Sequence, residues 1–193
     1  YRTPRPVLVV SRFDRAVVQA TEGPPVVKRL HIIDACQAAD LPAAFKYERN
    51  FGSGEHVRNI REGVSFEVLF GRVEQTINKA AARLTLLRWA LFQYLIDHEL
   101  AMAYGDAFSL DEVGAFQLAD FAKRSKVERR LLAREAARLA RLATKHAPAQ
   151  AAASGYVDEE RTFAKGLSDF VVSQALRLAS LAGDAAKIKD EYL

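Results

Sequence analysis

Cysteine is almost missing from this sequence: Cys36 stands alone among 193 residues. That excludes a disulfide within the chain and a multi-cysteine zinc site. Methionine is equally scarce, and the first residue is Tyr1 rather than Met, so we expect the sequence to begin inside a longer protein. Long apolar runs are lacking too. The longest, Leu84–Ile96, is interrupted by Arg88 and Gln93 and falls short of the ~20 residues that span a bilayer. The opening Tyr1-Arg2-Thr3-Pro4-Arg5-Pro6 has no apolar stretch of the signal-peptide kind. The expectation is a cytoplasmic protein without a membrane partner. No metal-ligand cluster, no internal repeat and no Gly-rich phosphate cradle with a Lys-Ser or Lys-Thr pair is present.

What is there is apolar surface. Half of the residues are hydrophobic, enough to bury a sizeable core. The net charge is only +4, but the cations are unevenly spread. Lys123, Arg124, Lys126, Arg129, Arg130, Arg134, Arg138 and Arg141 crowd one stretch. On a helix they would form a phosphate-contacting face. Interleaved with Glu128 and Glu135, they would equally form an ordinary solvated face.

The apolar pattern predicts a small β element followed by five or six packed helices. Val7–Val10 and Val26–Leu30 are β-branched and apolar, and the turn-rich residues 19–25 would let them pair as a hairpin. A helix is expected over Ile33–Ala39, closed by Asp40, Leu41 and Pro42, then loop and short helix over 50–63. From there the pattern is helical throughout. Phe66, Leu69, Phe70 and Val73 share a face, as do Leu84, Leu87, Leu91, Tyr94 and Leu95. Ser109, followed by Asp111 and Glu112, reads as the cap of a helix running to Lys123. Leu132, Ala136, Leu139 and Ala143 mark a helix over 126–146, and Ala147–Gly155 reads as a linker. The last helix, 158–182, would stop at Gly183.

Three segments carry more than periodicity. Leu8–Arg15 reads Leu-Val-Val-Ser-Arg-Phe-Asp-Arg, followed by Arg29-Leu30-His31, Asp34-x-Cys36-Gln37 and Lys46-Tyr47-Glu48. In order and spacing they resemble the HipA family of bacterial serine/threonine protein kinases, toxins of toxin–antitoxin pairs. Phe92-Gln93-Tyr94-Leu95-Ile96 is similar to the family's helix before its catalytic loop. The resemblance covers about residues 7–145. It implies a two-lobed, kinase-like fold, with residues 1–30 as the end of the amino-terminal lobe and the inter-lobe connection, and 31–193 as the helical carboxy-terminal lobe. It implies ATP and Mg2+, a protein substrate, and a HipB-like DNA-binding antitoxin through which DNA would be met indirectly.

The resemblance places adenine against the connection at Ser11 and Phe13, whose backbone would hydrogen-bond it, with Asp14 reaching the ribose. Ser11 stands where the family usually has Glu, a change that a backbone contact tolerates. The other reading makes Phe13 a core anchor and pairs Asp14 with Arg12 or Arg15. His31, Asp34, Gln37, Lys46, Tyr47 and Glu48 correspond to the family's supporting lattice. A histidine among apolar neighbours also suits a purely structural role.

The chemistry itself is missing. Phosphoryl transfer needs an acceptor-orienting base and metal-held phosphates. The family's Asn-x-Asp-x-His-x-x-Asn-like loop should follow Ile96, but Asp97-His98-Glu99-Leu100-Ala101-Met102 stands there. A block is absent between Ile96 and Asp97, whether omitted, cut away or naturally deleted. The phosphate-binding loop and nucleotide lysine are absent too. Asp97-His98 does not have the loop's spacing, and Asp120-Phe121 imitates a kinase Asp-Phe-Gly inside a helical pattern without the glycine. Two functions stand side by side: a HipA-like ATP-dependent kinase whose catalytic segment is not in this sequence, and a non-catalytic helical interaction module. Direct DNA binding by the basic stretch is a third.

Overall fold

The computed structural model describes residues 14–20, 23–46, 62–73, 75, 78–96, 98–153 and 155–193. The expected strand Val7–Val10 lies outside them. The chain divides into two compact units, Tyr1–Asp34 and Ala35–Leu193.

In the first unit, β1 (Arg15–Val18) pairs antiparallel with β2 (Val26–Arg29), in register from Arg15 opposite Arg29 to Val18 opposite Val26. The expected second strand is there, and its partner is Arg15–Val18. Leu30 N–H closes the ladder on the Asp14 carbonyl at 2.9 Å.

The second unit is helical, with one further hairpin. Helix α1 (Ala35–Ala39) ends where Asp40 turns left-handed, φ +58°. Leu41 N–H bonds the Cys36 carbonyl at 2.8 Å and Asp40 N–H that of Gln37 at 3.2 Å, satisfying the helix's last carbonyls. Helix α2 (Phe66–Val73) and α3 (Lys79–Gln93) follow. The Asn78 side chain caps α3 by accepting from Ala81 N–H at 3.2 Å.

From Glu99 the chain turns from helix to strand. β3 (Glu99–Tyr104) and β4 (Ala107–Ser109) pair through a two-residue turn, Gly105-Asp106. Gly105 takes φ +58°, a left-handed conformation that favours glycine; a Cβ there would lie 3.0 Å from an Asp120 carboxylate oxygen, which would have to shift slightly. Ser109 therefore closes a strand instead of capping a helix. The Glu112 carboxylate accepts from the Phe108 and Ser109 N–H groups at 3.2 and 3.3 Å. Helix α4 (Ala115–Arg124) starts later, at Gly114, whose N–H meets the Gln117 side chain at 3.1 Å.

Two long helices complete the unit, α5 (Arg129–Ala151) and α6 (Asp158–Ala185), packed along each other. Both outrun their expected ends. α5 continues through Pro148, carried by Ala147, Ala149 and Ala151, the strongest helix formers. α6 continues past Gly183 because Leu178, Ala182 and Ala185 are fully buried. That burial outweighs the ~1 kcal/mol a mid-helix glycine costs.

The core joins α2, α3, the second hairpin, α4, α5 and α6. Phe121 sits at its centre, edge-on to Phe66 at 5.3 Å and to Tyr104 at 5.2 Å. Such pairs add about 0.5–1.5 kcal/mol each beyond burial. Buried Tyr104 donates its hydroxyl to the Ala90 carbonyl, and the Gln93 amide reaches the Met102 carbonyl at 3.0 Å. These two bonds fasten the hairpin to α3. Among the described residues no helix is long and apolar enough to cross a membrane.

Candidate functional site

The residues expected at the nucleotide and beneath it are split between the units. Ser11, Phe13, Tyr47 and Glu48 lie outside the described residues. Asp14 is half-buried, and its carboxylate is ion-paired with the Arg15 guanidinium, which also donates to the Asp14 carbonyl at 3.0 Å. His31 and Asp34, in the first unit, are exposed. In the second, Gln37 is exposed on α1, and Lys46 edges a small apolar cavity that also touches Cys36 and Met102.

Among the described residues no group of three His, Cys, Asp or Glu side chains is placed to hold an ion. The described residues of the two imitations of kinase chemistry, His98, Asp120 and Phe121, are engaged in packing or ion pairing. His98 packs edge-on against Phe170, ring centroids 5.1 Å apart. Asp120 lies within α4, 3.6 Å from Arg124, and Phe121 is core.

One feature with open geometry among the described residues is basic. α4 ends in a tight left-handed turn: Val127 N–H reaches the Ala122 carbonyl at 2.8 Å and Lys126 N–H that of Lys123 at 3.1 Å. Lys126 takes φ +53° there, a position glycine usually fills. Arg83 of α3 locks the turn, donating to the Ser125 and Lys126 carbonyls at 2.8 and 2.6 Å. The turn brings the end of α4 and the start of α5 together beside the end of α6, around a cavity of about 620 Å3. Lys123, Lys126, Arg129 and Arg130 line it, against two acids, Glu128 and Asp190. Arg129 pairs with Asp190 at 2.7 Å, and Lys123 donates to a main-chain oxygen of Leu193 at 2.9 Å.

Two other cations of the stretch are committed elsewhere, while Arg134 and Arg141 are exposed. Arg124 turns to Glu67 at 2.8 Å. Arg138 and Arg88 both donate to the buried Glu135 carboxylate, each at 2.8 Å, which ties α3 to α5. Their hydrogen bonds, Arg88's first, hold the Glu135 carboxyl below the usual carboxylate range against the opposing effect of burial. Glu135 is therefore a buried strut, not one acid of a solvated face. The sequence exposed the cations but gave no sign of Asp190, which lies far along the chain.

The comparisons bear on all of this. The family model for the HipA-like C-terminal domain matches residues 2–99. The "Serine/threonine-protein kinase toxin HipA" of Shewanella oneidensis is 35% identical over 170 residues, covering 69% of this chain and 39% of that protein. The aligned span is longer than the share of this chain within it, so the relative carries some tens of residues there that this chain lacks. A solved structure from Shewanella oneidensis MR-1, of HipA with HipB and its operator DNA, is similar at a TM-score of 0.77 and 28% identity. That match covers 92% of this chain and 50% of that one. The chain thus spans between two-fifths and half of the length of these relatives.

Proposed function

Because the chain belongs to the HipA-like C-terminal domain family, we propose that it is the helical lobe of a HipA-like serine/threonine protein kinase toxin. It acts in the cytoplasm beside a HipB-like antitoxin that links it to DNA, with residues 1–30 as the connection between lobes and 31–193 as the lobe proper. The similarity of 92% of the chain to HipA at a TM-score of 0.77 carries this reading.

ATP-dependent transfer to a protein serine or threonine belongs to the whole kinase, and the groups that perform it are not among these residues. The family-model match ends at residue 99, close to the junction of Ile96 and Asp97. Relatives hold additional residues within the aligned span. No metal-holding group is present among the described residues, so no catalytic step is assigned to Mg2+ here. When bound, ATP would supply the phosphoryl group. Ser11 and Phe13 would seat its base through their backbone, and Asp14 would have to exchange Arg15 for the ribose. The non-catalytic module keeps the same fold and partner and differs only in turnover.

The test is co-purification of the chain with a HipB-like antitoxin, followed by incubation with ATP and Mg2+. A stable complex without phosphate incorporation is expected. Failure to bind the antitoxin would remove the toxin–antitoxin reading.

The basic cavity supports a second, additional reading: direct contact with DNA phosphates. Four cations against two acids line one concavity, with Lys126 and Arg130 beside the already engaged Arg129 and Lys123, an electrostatic pattern that would suit phosphate-backbone binding. Binding should then weaken steeply with salt and show no preference for sequence.

A further inference from the structure

The basic cavity contains its own anion. Asp190, on the 3-10 turn Asp190–Tyr192, lines the cavity and bonds Arg129 at 2.7 Å. Its neighbour Glu191 pairs instead with Lys189 at 3.4 Å, and Asp184 with Lys187 at 2.8 Å. Of the acids at this end of α6, Asp190 is the one directed into the cavity. The turn that carries it is anchored: Lys123 donates to a main-chain oxygen of Leu193 at 2.9 Å, and Ile188 and Leu193 pack against the main core.

We propose that Asp190 is a built-in competitor for the cavity: it occupies Arg129 when the cavity is empty and gives way when a phosphate arrives. This rests on the second reading above, in which the cavity contacts DNA phosphates. Two observations suit a displaceable group. The Asp190 side chain is 78% exposed whereas Arg129 is 21% exposed, so the acid can swing into water while the cation stays in place. An ion pair of this exposure contributes little stability, so an incoming phosphate loses little by breaking it. Arg130 and Lys126 line the same cavity and would hold the phosphate as Asp190 leaves. The cavity would bind phosphate more weakly than its four cations alone would, and binding would be coupled to the Asp190 side chain swinging out while the anchored 190–192 turn stays in place.

The experiment is fluorescence anisotropy with a short labelled DNA duplex of arbitrary sequence, across a salt series, using the full 193-residue chain. Asp190→Asn should bind about two- to fivefold more tightly, the effect of one lost surface ion pair. Asp184→Asn makes the same change in net charge away from the cavity and should change binding far less. In an Arg129→Ala background the gain from Asp190→Asn should disappear. Lys126→Gly removes a cation while suiting the left-handed turn, so it should fold and bind more weakly. If wild type binds, Lys126→Gly weakens it and Asp190→Asn is no tighter than Asp184→Asn, the competitor is overturned and the phosphate reading stands. A gain that persists without Arg129 also overturns it. If neither wild type nor Asp190→Asn binds the duplex, the phosphate reading fails and the competitor with it.

Discussion

One short stretch of this chain, 118–141, has two sides with opposite fates. On the inner side, Leu118, Phe121, Leu132 and Ala136 are fully buried, and even the charge is internal: Glu135 receives Arg88 and Arg138. On the outer side, Lys123, Lys126, Arg129 and Arg130 surround a cavity. The same residue type, arginine, serves both. What separates the two uses is the partner. A guanidinium paired with a buried carboxylate fixes two helices, whereas one facing an open cavity is available to a ligand. Charge density in a sequence cannot tell these apart, because the carboxylate that decides the matter is distant or, like Glu135, looks like any helical acid.

The contrast can be broken from the inside first. Phe121→Ala should cost about 3–5 kcal/mol, because three aromatic neighbours lose their central contact; urea unfolding would show a much lower midpoint. Glu135→Ala should cost about 1–3 kcal/mol. It would reach less than a fully buried pair because Arg88 and Arg138 are 43% and 36% exposed and regain water. The outer side should behave differently. Lys126→Gly should stabilise by about 1 kcal/mol, since the residue sits at φ +53°, and thermal unfolding would move upward. Arg130→Ala should leave stability within about 0.5 kcal/mol while weakening duplex binding and flattening its salt dependence by about one unit of slope. A large stability loss from Arg130→Ala would erase the distinction between the two sides.

Acid sharpens the same comparison. The Glu135 carboxyl is held below its ordinary value of 4.5. A group depressed on folding contributes stability that is whole above its unfolded value and is lost as pH falls through its folded one. The contribution should therefore be constant at neutral pH and decline below about pH 4.5. Glu135→Gln should show a shallower acid-side loss in unfolding measured against pH. Equal slopes in the two proteins would mean that the strut does not link stability to pH.

Much of the helical unit was legible because one-face periodicity reports burial. Leu87, Leu91, Tyr94 and Leu132 were placed by spacing alone, and they are buried. Where local signals competed with packing, packing decided. Gly183 and Pro148 are ordinary stop signals, yet buried alanines in α6 and the alanine-rich run of α5 carried both helices past them. The hairpin of β3 and β4 was missed although Gly105-Asp106 is a turn pair, because the apolar run Leu100–Tyr104 fits helix and strand alike. Of the candidate site, motifs in register identified the family. The cavity's cations stood out as a cluster, but Asp190 enters it only through the tertiary fold, 61 positions from Arg129.

The central claim is that these 193 residues hold the HipA-like lobe without the groups that transfer phosphate. Its most direct test is phosphate incorporation from labelled ATP, with Mg2+, into a preparation shown by intact mass to be the 21.4 kDa chain. No labelled serine or threonine, on the chain itself or on added protein, is the predicted result. Incorporation that requires Mg2+ and persists at that mass would contradict the claim and place the chemistry within this sequence.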